Sequence, residues 1–293
     1  MLELDLATQQ NDCDSKQILF DLHNLIVYSL CGLVFGVVSW IYIVASNVGE
    51  FWMWYFDFAP NRYRILQQAL LTISESSATL GLLHVIIWGL SITVLLGIIQ
   101  PNWRESAAIL ILLTMMTIQS LVLSAPGYIV LAIYAKHRDH RYSLILLPIL
   151  IVIKEYLFFV AVVYSCFQNR EAFFSKFDYR LITSIGFSLL MYLALVLFMG
   201  PASTPSGGVP FYTVNFVIDI FQNTPSSHLL LIAAINLSAF LFVLEHRLDG
   251  VLLFFLLSPI FIFGFFWESQ LWFPSLVIII LKRDGLVSLH LHR

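Results

Sequence analysis

The side chains best able to do chemistry are the few ionisable groups that interrupt long apolar runs. Lys154 and Glu155 are neighbours about twelve residues into the run 142–166. An ionised group at bilayer mid-depth costs about 2.5–3.5 kcal/mol on insertion scales, so both must face a protein interior. Adjacent residues project roughly 100° apart on a helix, so this pair cannot neutralise itself face to face and other segments must supply partners. His84, about eight residues into the run 76–99, is one candidate partner, and Asp219 and Glu268 are others. Two readings stand: a buried polar clasp between helices, or a layer that holds a proton, an ion or a substrate headgroup.

Pro225, Ser226, Ser227 and His228 form a second group, where the run 227–244 begins. Serine and proline at a helix start satisfy or remove orphan N–H groups, so the plain reading is a cap. The functional reading adds the imidazole to the helix N-terminus and makes an anion site suited to phosphate. The stretch before it, 201–226, carries four of the ten prolines and a single charge, Asp219. Such a long apolar connection is expected to fold on or into the membrane surface.

Over residues 180–281 this arrangement resembles the integral-membrane phosphatidic acid phosphatase superfamily, in the branch that contains sphingomyelin and inositol phosphorylceramide synthases. Pro201 and Pro205 stand for that branch's Pro-rich loop, Pro225 to His228 for its Pro-Ser-x-His, and 250–267 for the span that follows. The resemblance implies a lipid or lipid-phosphate pocket, with His228 as leaving-group acid and Ser226, Ser227 and Gln270 among the binding residues. The chain departs from the pattern in three places. Gln270 holds the position of the nucleophilic His, Pro274 that of the Asp that orients it, and 201–226 contains no Lys or Arg. An amide cannot form a phospho-enzyme as imidazole does, so the family's standard hydrolysis is not expected.

The remaining polar clusters have plainer explanations. The stretch from Phe51 to Phe58 holds six aromatics in eight positions and reads as an interfacial belt on a membrane-surface element, with a lipid groove as the alternative. Lys136 to Arg141 and Glu245 to Asp249 are short loops of mixed charge, the first able to hold anionic lipid. Three scattered cysteines build no disulfide framework or metal site, and no nucleotide-binding or hydrolase motif is present, so neither metal nor cofactor is expected.

The elements that must position these residues follow from composition. Of 293 residues 59% are hydrophobic and 11% charged, where a soluble domain has roughly 25% charged. That excludes a water-soluble single domain, and a net charge of −3 offers nothing for nucleic acid. About 20 apolar residues cross the hydrocarbon layer, which predicts spans at 22–46, 76–99, 106–135, 142–166, 181–200, 227–244 and 250–267. The run 106–135 is long and contains Pro126-Gly127, consistent with one kinked helix or two limbs, the single kinked helix being favoured. An eighth run, 269–281, gives about 20 Å of helix and half-spans unless Lys282 and Arg283 snorkel. With the N-terminus inside, nine Lys and Arg lie on the inner side and five on the outer, which favours a cytoplasmic N-terminus.

The expected architecture is an all-α polytopic bundle of seven full spans and a short eighth C-terminal helix. It comprises a polar tail at 1–20, one membrane domain at 21–284 and a short tail at 285–293. Membrane lipids, and further membrane subunits, are the expected partners. The leading functional expectation is a divergent lipid-phosphate pocket. The alternatives are a transporter or channel-like protein built on the Lys154/Glu155 layer, and a non-catalytic subunit of a membrane complex.

Overall fold

The computed structural model describes residues 24–37, 41, 65–73, 77–102, 104–109, 112, 125–137, 143–168, 179–200, 230, 233, 234, 237 and 273–281. All regular structure among the described residues is helical. The helices are α1 (Asn24–Val37), α2 (Ile65–Ile73), α3 (Ser77–Ile99), α4 (104–109), α5 (Ala125–Lys136), α6 (Leu146–Ile153), α7 (Glu155–Gln168), α8 (Tyr179–Met199) and α9 (273–281). A 3₁₀ turn, Ser143–Ile145, leads into α6. Among the described residues one helix, α8, has both the length and the apolarity to cross a membrane. Of the expected run 227–244 only residues 230, 233, 234 and 237 are described, all helical, and 250–267 lies outside the described residues.

Helix ends follow local rules. Both α3 and α8 stop at a residue in the left-handed region, Gln100 with φ 43° and Gly200 with φ 72°, and a proline follows each. At the first, the Gln100 N–H donates to the Leu96 carbonyl at 2.9 Å, closing the last turn. The start of α4 is a capping box. The Asn102 side chain accepts from the Glu105 N–H at 2.9 Å, and the Glu105 carboxylate accepts from the Asn102 N–H at 2.7 Å. Pro126 sits in the first turn of α5, where its missing N–H costs nothing.

Packing is set by small residues. Gly32 and Gly36, four apart on α1, lie against Gly89 of α3. A Cβ at Gly32 would collide with Thr93 Oγ1 and the Gly89 carbonyl, and one at Gly89 would reach the Gly32 carbonyl at 3.0 Å. Thr93 Oγ1 donates across the contact to the Tyr28 carbonyl at 3.3 Å and back to Gly89 at 3.0 Å. Close approach of this kind is how helices associate where the surroundings are as apolar as their side chains. Helix α3 then packs along α5, and α6 packs on α5, α7 and α8.

The core draws on one face of α3 (Trp88, Ile92, Leu95, Ile99), on Tyr128, Leu131 and Tyr134 of α5, and on α6 and α7. Its centre is α9. Every residue from Phe273 to Ile280 is buried, so this short helix is covered on all sides. The outward faces are equally apolar: Leu82, Ile86, Leu90 and Val94 form an exposed stripe along α3, and Phe198 at the end of α8 is 90% exposed.

Candidate functional site

The run 142–166 is helical on both sides of Lys154 and interrupted at it. Lys154 has φ −164° and ψ 117°, an extended conformation, so α6 ends at Ile153 and α7 begins at Glu155. Local sequence favours an interruption there. Ile151, Val152 and Ile153 are three consecutive β-branched residues, which lose side-chain freedom in a helix and sit well in extended backbone. The two charges then match the ends they occupy. Lys154 lies at the partially negative C-terminus of α6, and Glu155 at the partially positive N-terminus of α7.

The interruption changes the backbone account. The Lys154 N–H still donates to the Leu150 carbonyl at 2.9 Å, and the Leu157 N–H turns back to the Lys154 carbonyl at 3.0 Å. The carbonyls of Ile151, Val152 and Ile153 fall in the last turn of α6, where a helix supplies no N–H of its own. Polar backbone is thus gathered at one level of an otherwise apolar interior. The roughly 100° spacing expected for Lys154 and Glu155 on a continuous helix does not apply across an extended residue.

Lys154 is 3% exposed. Its Nζ lies 4.8 Å from the centroid of the Tyr156 ring, a cation–π contact that burial strengthens. The Tyr156 hydroxyl is hydrogen-bonded to the Tyr128 hydroxyl of α5 at 2.9 Å, and both tyrosines are buried. Either oxygen can be the donor. Phe273, the first residue of α9, sets its edge against the Tyr128 ring at 4.7 Å between centroids. A second hydroxyl pair joins the same two helices further along. Ser165 Oγ donates to the Ala161 carbonyl at 2.8 Å, which leaves the Tyr134 hydroxyl as the donor to Ser165 Oγ.

Gly127 allows this arrangement. A Cβ there would collide with Leu157 Cδ1 and come within 3.0 Å of Ile153 Cγ2, so α5 touches both half-helices at the break through a residue without a side chain. The α6 side is tied outward instead. Ser184 Oγ of α8 donates to the Leu144 carbonyl in the 3₁₀ turn at 2.7 Å, and Ser188, one turn on, is buried and bonds the Ser184 carbonyl.

Of the residues singled out from sequence, Lys154 and Glu155 stand together at the break, the first buried and the second half-buried. His84 is on α3, and its side chain lies outside what is described. Ser226, Ser227, His228, Gln270, Asp219 and Glu268 lie outside the described residues. Pro274 is buried in the first turn of α9, a position that suits proline at a helix start. Among the described residues no group of three or more His, Cys, Asp or Glu side chains comes together. Sequence reasoning did not pick out Gly127, Tyr128 and Tyr156 as parts of one site. The Pro126-Gly127 pair was visible as a kink, but its contact with residues some thirty positions away was not. The Gly32/Gly36 spacing was a legible signal for the α1–α3 contact.

No protein-family model, curated protein or solved structure matches the chain.

Proposed function

We propose that the chain is a multi-pass membrane protein of transporter or channel type, whose working layer is the helix break at Lys154. The observation that carries this reading is the extended, buried lysine between two half-helices. Non-helical backbone at membrane depth is tolerated where it lines a protein interior or a water-filled cavity, and half-helix ends in that setting hold ions and charged groups. Lys154 offers a proton or a positive charge, Glu155 a carboxylate, the α6 terminus a set of carbonyls, and Tyr156 with Tyr128 a hydroxyl pair that can relay a proton. The exposed apolar stripe on α3 and the exposed outer face of α8 support a lipid surround, since water-facing surfaces rarely carry apolar patches of that extent. Seven full spans, a short eighth helix and a cytoplasmic N-terminus belong to the same proposal.

The lipid-phosphate pocket implied by the superfamily resemblance depends on His228 and Gln270, which lie outside the described residues. The transport reading is the one that rests on described residues.

The test is proton flux in liposomes containing the full chain, with a potassium diffusion potential across the membrane and a pH-sensitive dye inside. Wild-type vesicles are expected to acidify faster than protein-free ones, and Lys154→Met to bring the rate down to the protein-free level while the protein still elutes as a folded species. Equal rates for wild type and Lys154→Met, or no flux above protein-free liposomes, reject the reading.

A further inference from the structure

Lys154 separates two groups of helices that are fastened by different means. On one side, α7 is held to α5 by the Tyr128–Tyr156 and Tyr134–Ser165 hydroxyl pairs, α5 lies along α3, and α3 is locked to α1 through Gly32, Gly89 and Thr93. On the other, α6 and its 3₁₀ turn are tied to α8 by the Ser184–Leu144 hydrogen bond and by the buried Ser188 face. The covalent link between the groups at this level is one residue in extended conformation, which can change φ and ψ without breaking a helical hydrogen bond of α7. Gly127 sits against the link and contacts both Ile153 and Leu157, where a pivot between the two half-helices has to be.

We infer that Lys154 is a hinge about which α6 with α8 rocks as one body against α1, α3, α5 and α7. Movement at this hinge alters access to Lys154 and Glu155 from the two membrane faces. A rotation there carries the largely exposed outer face of α8 through lipid, while α6 slides on α5 and α7, against which it also packs. The inference rests on the transport reading of the same break, but its test measures motion and not flux, so each can fail alone.

The experiment places pairs of nitroxide labels on the full chain in lipid nanodiscs, after replacement of Cys13, Cys31 and Cys166. One pair, Ile133 on α5 and Leu197 on α8, crosses the hinge; the other, Leu90 on α3 and Ile133, lies within one body, and all three sites are exposed. The cross-hinge distance distribution is expected to be about twofold broader than the within-body one, or to have two maxima. In Lys154→Leu, which removes the charge that the C-terminus of α6 favours at the break, it is expected to narrow to the within-body width. Should that variant fail to fold, Lys154→Ala, with the strongest helix former at the hinge, makes the same comparison. Equal widths for the two pairs in the wild-type chain, or a cross-hinge distribution that stays broad in the folded variant, overturns the inference. A narrow cross-hinge distribution accompanied by Lys154-dependent flux would reject the hinge and keep the site.

Discussion

Helices α8 and α9 are made of similarly apolar residues and occupy opposite surroundings. In α8 about 11% of the membrane-length window is buried, and the inward side is marked by Leu181 and Ser188. In α9 every side chain from Phe273 to Ile280 is covered. Hydropathy does not separate them, because both are built of apolar side chains. Side-chain shape and small polar groups differ between the two. The central helix presents a stiff β-branched run, Val277 to Ile280, that fills space with little entropy to lose. The peripheral one carries Leu and Phe side chains outward and brings its serines to the contact with the 3₁₀ turn and α6.

The strongest challenge to this contrast is Phe273→Ala. It empties a fully buried ring site at the start of α9 and removes the edge contact on Tyr128, and a cost of about 3–4 kcal/mol is expected in reversible unfolding in mixed detergent–lipid micelles. A cost below about 1 kcal/mol would show that α9 is not the packed centre. Gly127→Val is expected to come next, at about 2–3 kcal/mol in the same assay, because its side chain must displace Leu157 and Ile153 at the break. The smallest effect belongs to Phe198→Ala. Although it deletes the same ring as Phe273→Ala, at 90% exposure it is expected to shift stability by under about 0.5 kcal/mol. A loss comparable to that of Phe273→Ala would mean that the outer face of α8 is covered by protein.

Much of the fold's local grammar was legible. The expected run 76–99 corresponds to α3 at Ser77–Ile99 and the run 181–200 to α8 at Tyr179–Met199, because Gln100-Pro101 and Gly200-Pro201 are stop signals that act within a turn. Lys154 and Glu155 were identifiable as costly exceptions from their position alone. The interruption at Lys154 was not anticipated, because the β-branched run Ile151 to Ile153 that favours it is a weak local preference within a long apolar run that reads as one helix. The eighth run, 269–281, was expected to half-span unless Lys282 and Arg283 snorkel; its residues 273–280 are helical and buried, which hydropathy alone does not separate from an exposed span.

By itself the sequence determined that the chain is an apolar, helical protein, where several helices stop, and which two charges are hardest to accommodate. These are properties of single residues and of one or two turns, set by transfer energies and backbone sterics that do not depend on what lies across the bundle. Only the tertiary structure decided which apolar helix is central and which peripheral. It alone joined Gly127, Tyr128, Lys154, Tyr156 and Phe273 in one layer and made Lys154 a break between half-helices. Those outcomes depend on close contacts between segments far apart in the chain, and where every segment is apolar, shape complementarity has to select among pairings that hydropathy leaves equivalent.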